Sequence, residues 1–175
     1  MSSIKQAVVL IGHGGLPSDC PEKLIQKFMA LHKNRKGGTA SKQEAELEQT
    51  IRKWPRTPVT DPYQAGLESL ASCLKPLLND SILRTAYNEF CEPSIEDAVK
   101  EIVDEGFEDI ILTTTMFTPG GSHSDKEIPE EVEKLRQQFP GIAINYAWPF
   151  DLKNVARLLA THINSFSKQV TQTIN

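Results

Sequence analysis

Two histidines and one glutamate stand where strands of the fold are expected to end, and together they could bind a divalent metal ion. His13 lies between glycines, His123 follows a glycine pair, and Glu89 follows a strand-like run. Imidazole nitrogens and carboxylate oxygens are common ligands of zinc and related divalent ions. Each residue also has an ordinary structural explanation. Glu89 on its own, for example, could cap a helix or form a surface ion pair.

The glycines beside the histidines indicate tight turns. Gly12 and Gly14 flank His13, and Gly120 with Gly121 precedes the second histidine. Glycine adopts positive φ at little cost and lets a ligand or a second stretch of backbone come close. We therefore assign these four glycines to the substrate-binding surface. The phosphate-loop pattern GxxxxGK[ST] and the dinucleotide pattern GxGxxG are absent from the sequence, so we expect no nucleotide cofactor.

Four short apolar runs predict the strands that position these residues. The first is continuous rather than alternating, as in a strand buried on both faces of a parallel sheet. Amphipathic helical segments separate the later runs. This alternation predicts an α/β fold, a three-layer α/β/α open parallel sheet of about four strands with right-handed crossovers. The predicted strands cover residues 7–11, 82–87, 109–115 and 142–147.

The order of the strands decides whether the three candidate ligands meet. In open α/β sheets, ligands bind beyond the carboxyl ends of the strands, at the point where the strand order reverses. If the order is 2-1-3-4, the first three strands are neighbours. Their ends then carry His13, Glu89 and His123 to one place. The sequence therefore predicts a divalent-metal site at this edge of the sheet.

Composition bounds the class of protein. The length of 175 residues favours one globular domain, 1–175. The chain is 24% charged with a net charge of −4, so it offers no basic surface that would indicate nucleic-acid binding. The sequence shows no signal-peptide layout and no apolar run of about 18 residues, so we expect a cytoplasmic, non-membrane protein. Its three cysteines lack CxxC spacing, which argues against disulfides and zinc–thiolate sites.

Residues 16 to about 60 are the least regular part of the sequence and are expected to form a helical insertion after the first strand. Asp61 and Pro62 then offer a capping acceptor and a first-turn proline for the next helix. His32, inside the insertion, is expected to be solvated. His162, in the last amphipathic helix, is expected to have a surface or interface role.

Three motifs in this sequence resemble the small sirohydrochlorin chelatases of the CbiX and SirB type. These enzymes are related to the class II chelatases, which insert Co²⁺, Fe²⁺ or Ni²⁺ into tetrapyrroles without ATP. The insertion, and an extra residue in Gly-Gly-Ser-His before His123, depart from the family pattern. The resemblance covers residues 4–15 and about 80–165, and its motifs are Val-Leu-Ile-Gly-His-Gly (9–14), Ala-Tyr-Asn-Glu-Phe-Cys-Glu-Pro-Ser-Ile-Glu-Asp-Ala (86–98) and Pro-Gly-Gly-Ser-His-Ser-Asp-Lys-Glu-Ile-Pro (119–129).

The resemblance implies a chelatase fold with flavodoxin-like strand order and catalytic roles for the three candidate ligands. His13 and His123 would hold the incoming metal ion, which is a substrate. Glu89 would ligate the metal or accept a proton from a pyrrole N–H. Small members of the family act as homodimers, so the resemblance also implies a possible homodimer here.

The resemblance further implies a tetrapyrrole partner stacked above the strand ends. Met116, Phe117 and Tyr87 are the expected stacking surfaces. The macrocycle carboxylates need cations or helix N-termini. Arginines and a lysine of the insertion could supply some of these cations, and the candidates are Arg52, Lys53 and Arg56.

Two other functions compete with a chelatase. A metal or tetrapyrrole carrier on the same fold would bind through the same histidines without turnover. An α/β hydrolase is weakly suggested by Gly12-His-Gly-Gly15, which is similar to an esterase oxyanion loop. That fold needs a G-x-S-x-G elbow around its nucleophile, and the sequence has none. A chelatase and a carrier would therefore both bind metal, and only the chelatase would show turnover.

Overall fold

Four parallel strands form one sheet in the part of the chain that the structure describes. This computed structural model describes residues 6–34 and 40–173, with side chains to residue 166. The spatial order is β2-β1-β3-β4, which confirms the predicted order 2-1-3-4. The strands are β1 (Gln6–Gly12), β2 (Ile82–Tyr87), β3 (Asp109–Thr114) and β4 (Ala143–Tyr146).

Helices connect the strands and cover both faces of the sheet, as predicted for a three-layer fold. Two helices lie in the insertion, α1 (Glu22–Lys33) and α2 (Lys42–Arg52). A 3₁₀ turn at Lys75–Leu77 extends the third helix, and a π-helical turn at His123–Glu127 precedes the fifth. The other helices are α3 (Pro62–Leu74), α4 (Ile95–Asp104), α5 (Ile128–Gln138) and α6 (Leu152–Thr173).

Side chains of β1 alternate between two cores. Val9 and Ile11 are fully buried against a cluster from α4 and α5, whereas Leu10 packs on the opposite face with Leu67 of α3. Alternate residues of a strand point to opposite faces, so a continuous apolar run is what a doubly covered strand requires. Each fully buried aliphatic side chain contributes about 1.5–3 kcal/mol. The strand ends are thereby fixed on a rigid support.

Three helix starts match capping chemistry. Asp61, as expected, and Ser94 accept hydrogen bonds from backbone N–H groups in the first turns of α3 and α4. Ser41 forms a full capping box with Glu44 at the start of α2. Ser124 and Glu127 have the spacing of a capping box for the helix that contains α5, but Ser124 does not cap it. There the backbone is already helical and Ser124 is buried inside the π-helical turn.

The insertion has a small core of its own, which contacts the sheet end through Phe90. Phe28 and Ile51 are buried in it, with Trp54 and Phe90 packed against them. His32 is half-buried rather than solvated, which corrects the expectation. Its Nδ1 lies 3.3 Å from Oε1 of the buried Glu44.

Helix α6 exposes most of its apolar side, including Leu159 at 55% and Phe166 at 60%. His162 is exposed on the same helix. None of the described helices combines the length and apolarity needed to cross a membrane.

The three cysteines are free, and their burial predicts one fast-reacting thiol. Burial raises the pKa of the Cys91 thiol to about 11 and also raises the pKa of Cys20. Cys73 is exposed. Since the thiolate is the reactive form, we expect about one equivalent of a thiol reagent to react quickly with the folded protein near neutral pH. Cys73→Ser should remove that fast phase in a stopped-flow assay, and a fast phase that persists would contradict the assignment.

Candidate metal centre

The ends of β1, β2 and β3 bring His13, Glu89 and His123 together. One ligand atom from each residue lies within 4.8 Å of the other two. His13 Nε2 is 3.9 Å from Glu89 Oε2, and the two imidazole rings meet edge to face with centroids 4.7 Å apart. All three side chains are partly buried. The arrangement is a set of two nitrogens and one carboxylate facing a common point.

His13 has a defined tautomer because its neighbour fixes one ring nitrogen. Nδ1 lies 2.8 Å from the Gly14 carbonyl oxygen. A carbonyl only accepts, so Nδ1 carries the proton and the Nε2 lone pair is free for a metal ion. The backbone N–H of His13 donates to the Tyr63 hydroxyl at 2.7 Å, which ties the turn to α3.

His123 is oriented in the same way by Glu127, a residue that the sequence did not single out. Glu127 Oε2 lies 2.8 Å from His123 Nδ1 and accepts a hydrogen bond from Asn88 Nδ2 at 3.1 Å. Asn88 Nδ2 also lies 2.9 Å from His123 Nδ1. The amide can give its hydrogen to Glu127, whereas an ionised carboxylate only accepts, so the Glu127 contact places the proton on Nδ1 and frees Nε2. The i, i+4 spacing of the two residues was visible in the sequence, and it was the available signal.

Two opposing effects act on the Glu127 carboxyl. Partial burial works to raise its pKa, but the hydrogen bonds from His123 and Asn88 outweigh it, so the pKa lies below its ordinary value. Glu127 is therefore ionised near neutral pH and acts as a hydrogen-bond acceptor rather than a proton donor.

The turns after β1 and β2 contact each other through their backbones. The N–H of Glu89 donates to the His13 carbonyl at 2.8 Å, and the N–H of Asn88 donates to the Gly12 carbonyl at 3.0 Å. These two hydrogen bonds hold the turn that carries Glu89 against the turn that carries His13. Gly14, at φ +94°, faces the Glu89 carbonyl so closely that a Cβ atom there would overlap it.

This contact predicts different costs for two glycine substitutions. Gly14 and Gly120 both have positive φ, but space around Gly120 is open whereas Gly14 abuts backbone. Gly120→Ala should cost about 1–2 kcal/mol from the left-handed conformation alone. Gly14→Ala should cost more than about 4 kcal/mol, because a backbone carbonyl cannot turn aside as a side chain can. Urea unfolding of both variants tests this, and equal losses would contradict it.

The glycines expected at the substrate surface fall into two groups. Gly12 packs on α3, since a Cβ there would meet Leu67 at 2.7 Å, and Gly14 packs on the Glu89 turn. Protein packing therefore explains both. Gly120 and Gly121 are exposed in the loop before His123, and their contact with substrate stays a prediction.

The three expected stacking residues differ in exposure. Tyr87 is 1% exposed, and its hydroxyl donates to Glu68 at 3.0 Å, so we leave it out of the proposed site. Met116 packs partly on the core. Phe117 is 37% exposed and meets the Phe150 ring edge to face at 5.2 Å.

Aromatic side chains after β4 extend the surface around Phe117, and the sequence analysis missed them. Trp148 packs on Phe150 with ring centroids 5.7 Å apart, and its indole N–H donates to Asp125 at 2.8 Å. Asp125 also accepts from the Gly120 N–H, so the cluster supports the loop before His123. The signal for it was the position of Trp148 directly after a predicted strand.

The insertion forms one side of a cavity of about 420 Å³ beside Glu89, one of the three candidate ligands. His32, Glu48 and Arg52 line it from the insertion, and the rest of the lining is Asn88, Glu89 and Glu127.

The cations expected to meet macrocycle carboxylates are engaged within the protein or lie outside this cavity. Arg56 is buried and pairs with Asp61. Arg52 pairs with Glu48 and donates to backbone carbonyls. Lys53 is exposed on a different surface. Both arginines are therefore engaged by groups of the protein. They are not free to meet a macrocycle carboxylate.

Comparisons with known proteins agree with the fold. The crystal structure of the CbiX protein from Marinobacter aquaeolei aligns over 97% of this chain and 98% of its own, with a TM-score of 0.55 and 16% identity. SirB from Bacillus subtilis aligns over 83% of this chain and 40% of its own, with a TM-score of 0.50 and 19% identity. At these identities the likeness concerns the fold alone.

Two curated relatives match about half of the chain. A sirohydrochlorin cobaltochelatase from Sulfurisphaera tokodaii is 25% identical over 92 residues, which are 52% of this chain and 72% of the relative. A sirohydrochlorin ferrochelatase from Priestia megaterium is 24% identical over 91 residues, 51% of this chain but only 34% of the relative. The CbiX family model matches residues 60–165, which include Glu89 and His123. The chain belongs to the CbiX family, the family of the sirohydrochlorin chelatases.

Proposed function

We propose that this protein is a tetrapyrrole metal chelatase that inserts Co²⁺, Fe²⁺ or Ni²⁺ into sirohydrochlorin or a related macrocycle without a nucleotide. The observation that carries the proposal is the convergence of His13, Glu89 and His123 within 4.8 Å at three strand ends. Family membership supports the class of reaction, and the relatives named above include enzymes that use cobalt and iron.

The three side chains suit a metal that must be bound and then released. Two neutral imidazoles and one carboxylate provide three ligands, and three protein ligands leave a coordination position open, as in catalytic zinc sites. Incoming macrocycle nitrogens need such a position. The hydrogen bonds from Nδ1 of His13 to Gly14 and from Nδ1 of His123 to Glu127 keep both Nε2 atoms ready for the metal ion.

Glu89 is proposed to take part in proton removal. Insertion of M²⁺ displaces two protons from pyrrole nitrogens, so charge is conserved only if bases accept them. The Glu89 carboxylate faces the same point as the two imidazoles and is partly exposed. It can accept one proton directly, and a histidine that has released the metal can accept the other.

The macrocycle is proposed to lie over the strand ends, with Phe117 and Phe150 as its aromatic contacts. Phe117 is exposed, and its ring contact with Phe150 holds it beside the loop of His123. Flat conjugated rings stack on such surfaces. The homodimer and the cytoplasmic location implied above stay predictions.

Anaerobic incubation with sirohydrochlorin and each metal ion in turn tests the proposal. Metal insertion changes the visible absorbance of the macrocycle, so the expected result is a protein-dependent rate with at least one of Co²⁺, Fe²⁺ and Ni²⁺. Binding of metal without any accelerated insertion would favour a carrier, and absence of metal binding would refute the site.

A further inference from the structure

Two arginines of the insertion hold the turn that carries Glu89. Arg52 donates to two backbone carbonyls of this turn at 2.9 Å each. Arg56 donates to a third. The acceptors are Asn88 and Cys91 for Arg52 and Phe90 for Arg56. The remaining carbonyl, that of Glu89, accepts from the Cys91 N–H at 2.7 Å. Every carbonyl of residues 88–91 therefore has a donor, and the insertion supplies three of the four.

The turn needs such support because its backbone is strained. Phe90 has φ +58°, a conformation that bulky residues seldom adopt and that persists only where surrounding contacts enforce it. Its ring lies between His13 and Phe28, with centroids 6.3 and 6.1 Å away. The side chain of Phe90 thus connects the core of the insertion to the metal centre.

Arg56 also connects the two ligand turns to each other. Besides the Phe90 carbonyl, it donates to the carbonyl of Gly15 at 2.8 Å, just past His13. Its charge is balanced by the buried carboxylate of Asp61. One guanidinium therefore spans the turn of His13 and the turn of Glu89, and its planar fork fits this use.

We propose that the insertion positions Glu89 for metal binding, with Arg52 and Arg56 as the positioning residues. This inference rests on the proposed function, because it assigns to the insertion a task at the same metal centre. The arginines act through the backbone of residues 88–91. They contact neither the metal ion nor the macrocycle, and the three ligand side chains bind the metal. Partners of metal ligands usually change metal affinity by about 10–100-fold when they are removed.

Arg52→Gln is the better test variant because Arg56 is paired inside the protein and its loss endangers folding. The matched control is Arg136→Gln, since Arg136 also donates to one backbone carbonyl, that of Ile144, and pairs with an acid on its own helix. Anaerobic titration with Co²⁺ alone, followed by visible absorbance, measures affinity. We expect Arg52→Gln to raise the Kd for Co²⁺ about tenfold and Arg136→Gln to leave it unchanged.

A double-mutant cycle with Glu89→Ala separates positioning from general destabilisation. If Arg52 acts through Glu89, Arg52→Gln should weaken Co²⁺ binding in the wild-type background and add little in the Glu89→Ala background. Arg52→Lys keeps the charge but lacks the fork that reaches two carbonyls, so it should also bind Co²⁺ more weakly than the wild type.

The outcomes distinguish this inference from the proposed function. Wild-type protein that binds none of Co²⁺, Fe²⁺ and Ni²⁺ would refute the metal centre itself. Wild-type protein that binds Co²⁺ while Arg52→Gln binds equally well would overturn only the role of the insertion. An equal loss in the wild-type and Glu89→Ala backgrounds would also overturn it, because Arg52 would then act by a route that does not include Glu89.

Discussion

Replacing His13 or His123 with alanine is expected to lower the rate of metal insertion by about 10²–10⁴-fold. Each substitution removes one of three ligand atoms that lie within 4.8 Å of one another, and it leaves the metal ion with too few protein ligands. Each also removes a group that can accept a macrocycle proton. The initial rate of absorbance change with sirohydrochlorin and the preferred metal measures the effect.

His162→Ala is the matched control, because His162 is exposed on α6 and lies outside the three-ligand cluster. It should insert metal at the wild-type rate. If His13→Ala and His123→Ala match this control, the proposed site is wrong. A Co²⁺ titration of the same variants shows whether the loss begins with metal binding.

Replacing Arg56 with methionine is expected to lower the free energy of unfolding by about 3–5 kcal/mol. The Arg56 and Asp61 side chains are 5% and 2% exposed, so the substitution leaves a buried carboxylate without its cation. It also removes the donor to the Gly15 and Phe90 carbonyls. Urea unfolding followed by far-ultraviolet circular dichroism gives the value.

Arg84→Met provides the comparison for an exposed ion pair. Arg84 and Glu105 are 41% and 44% exposed, and pairs of this kind contribute about 0–1 kcal/mol. A loss for Arg56→Met no larger than that for Arg84→Met would contradict the importance of the buried pair.

The meeting of the three candidate ligands could be predicted from the sequence because, once the strand order 2-1-3-4 was assumed, parallel strands end at one edge of the sheet. Once β1 and its neighbours are parallel, their carboxyl ends share one edge, and residues just past those ends are close whatever the loops do. His13 and Glu89 stand one and two residues past their strand ends, so errors of one or two residues in the strand limits changed nothing for them. His123 stands nine residues past the end of β3, so its place also depends on the path of the loop.

The support around the ligands was harder to predict because it depends on contacts between distant parts of the chain. Arg52 and Cys91 are 39 positions apart, and nothing local distinguishes Arg52 from a solvated surface charge. His32 was expected to be solvated, but it is half-buried beside Glu44, which lies on another helix. The family resemblance implied that Tyr87 faces the macrocycle, but its hydroxyl donates to Glu68 of α3.

The π-helical turn at His123–Glu127 has a consequence for differences in length among relatives. A π-helical turn holds one residue more than an α-helical turn. The loop before α5 can therefore gain one residue, such as the serine in Gly-Gly-Ser-His, without rotating the buried face of the following helix. Ile128, Val132 and Leu135 remain packed on the core. One residue more or less in this loop can thus be taken up within one turn, without a shift of the sheet or its helices.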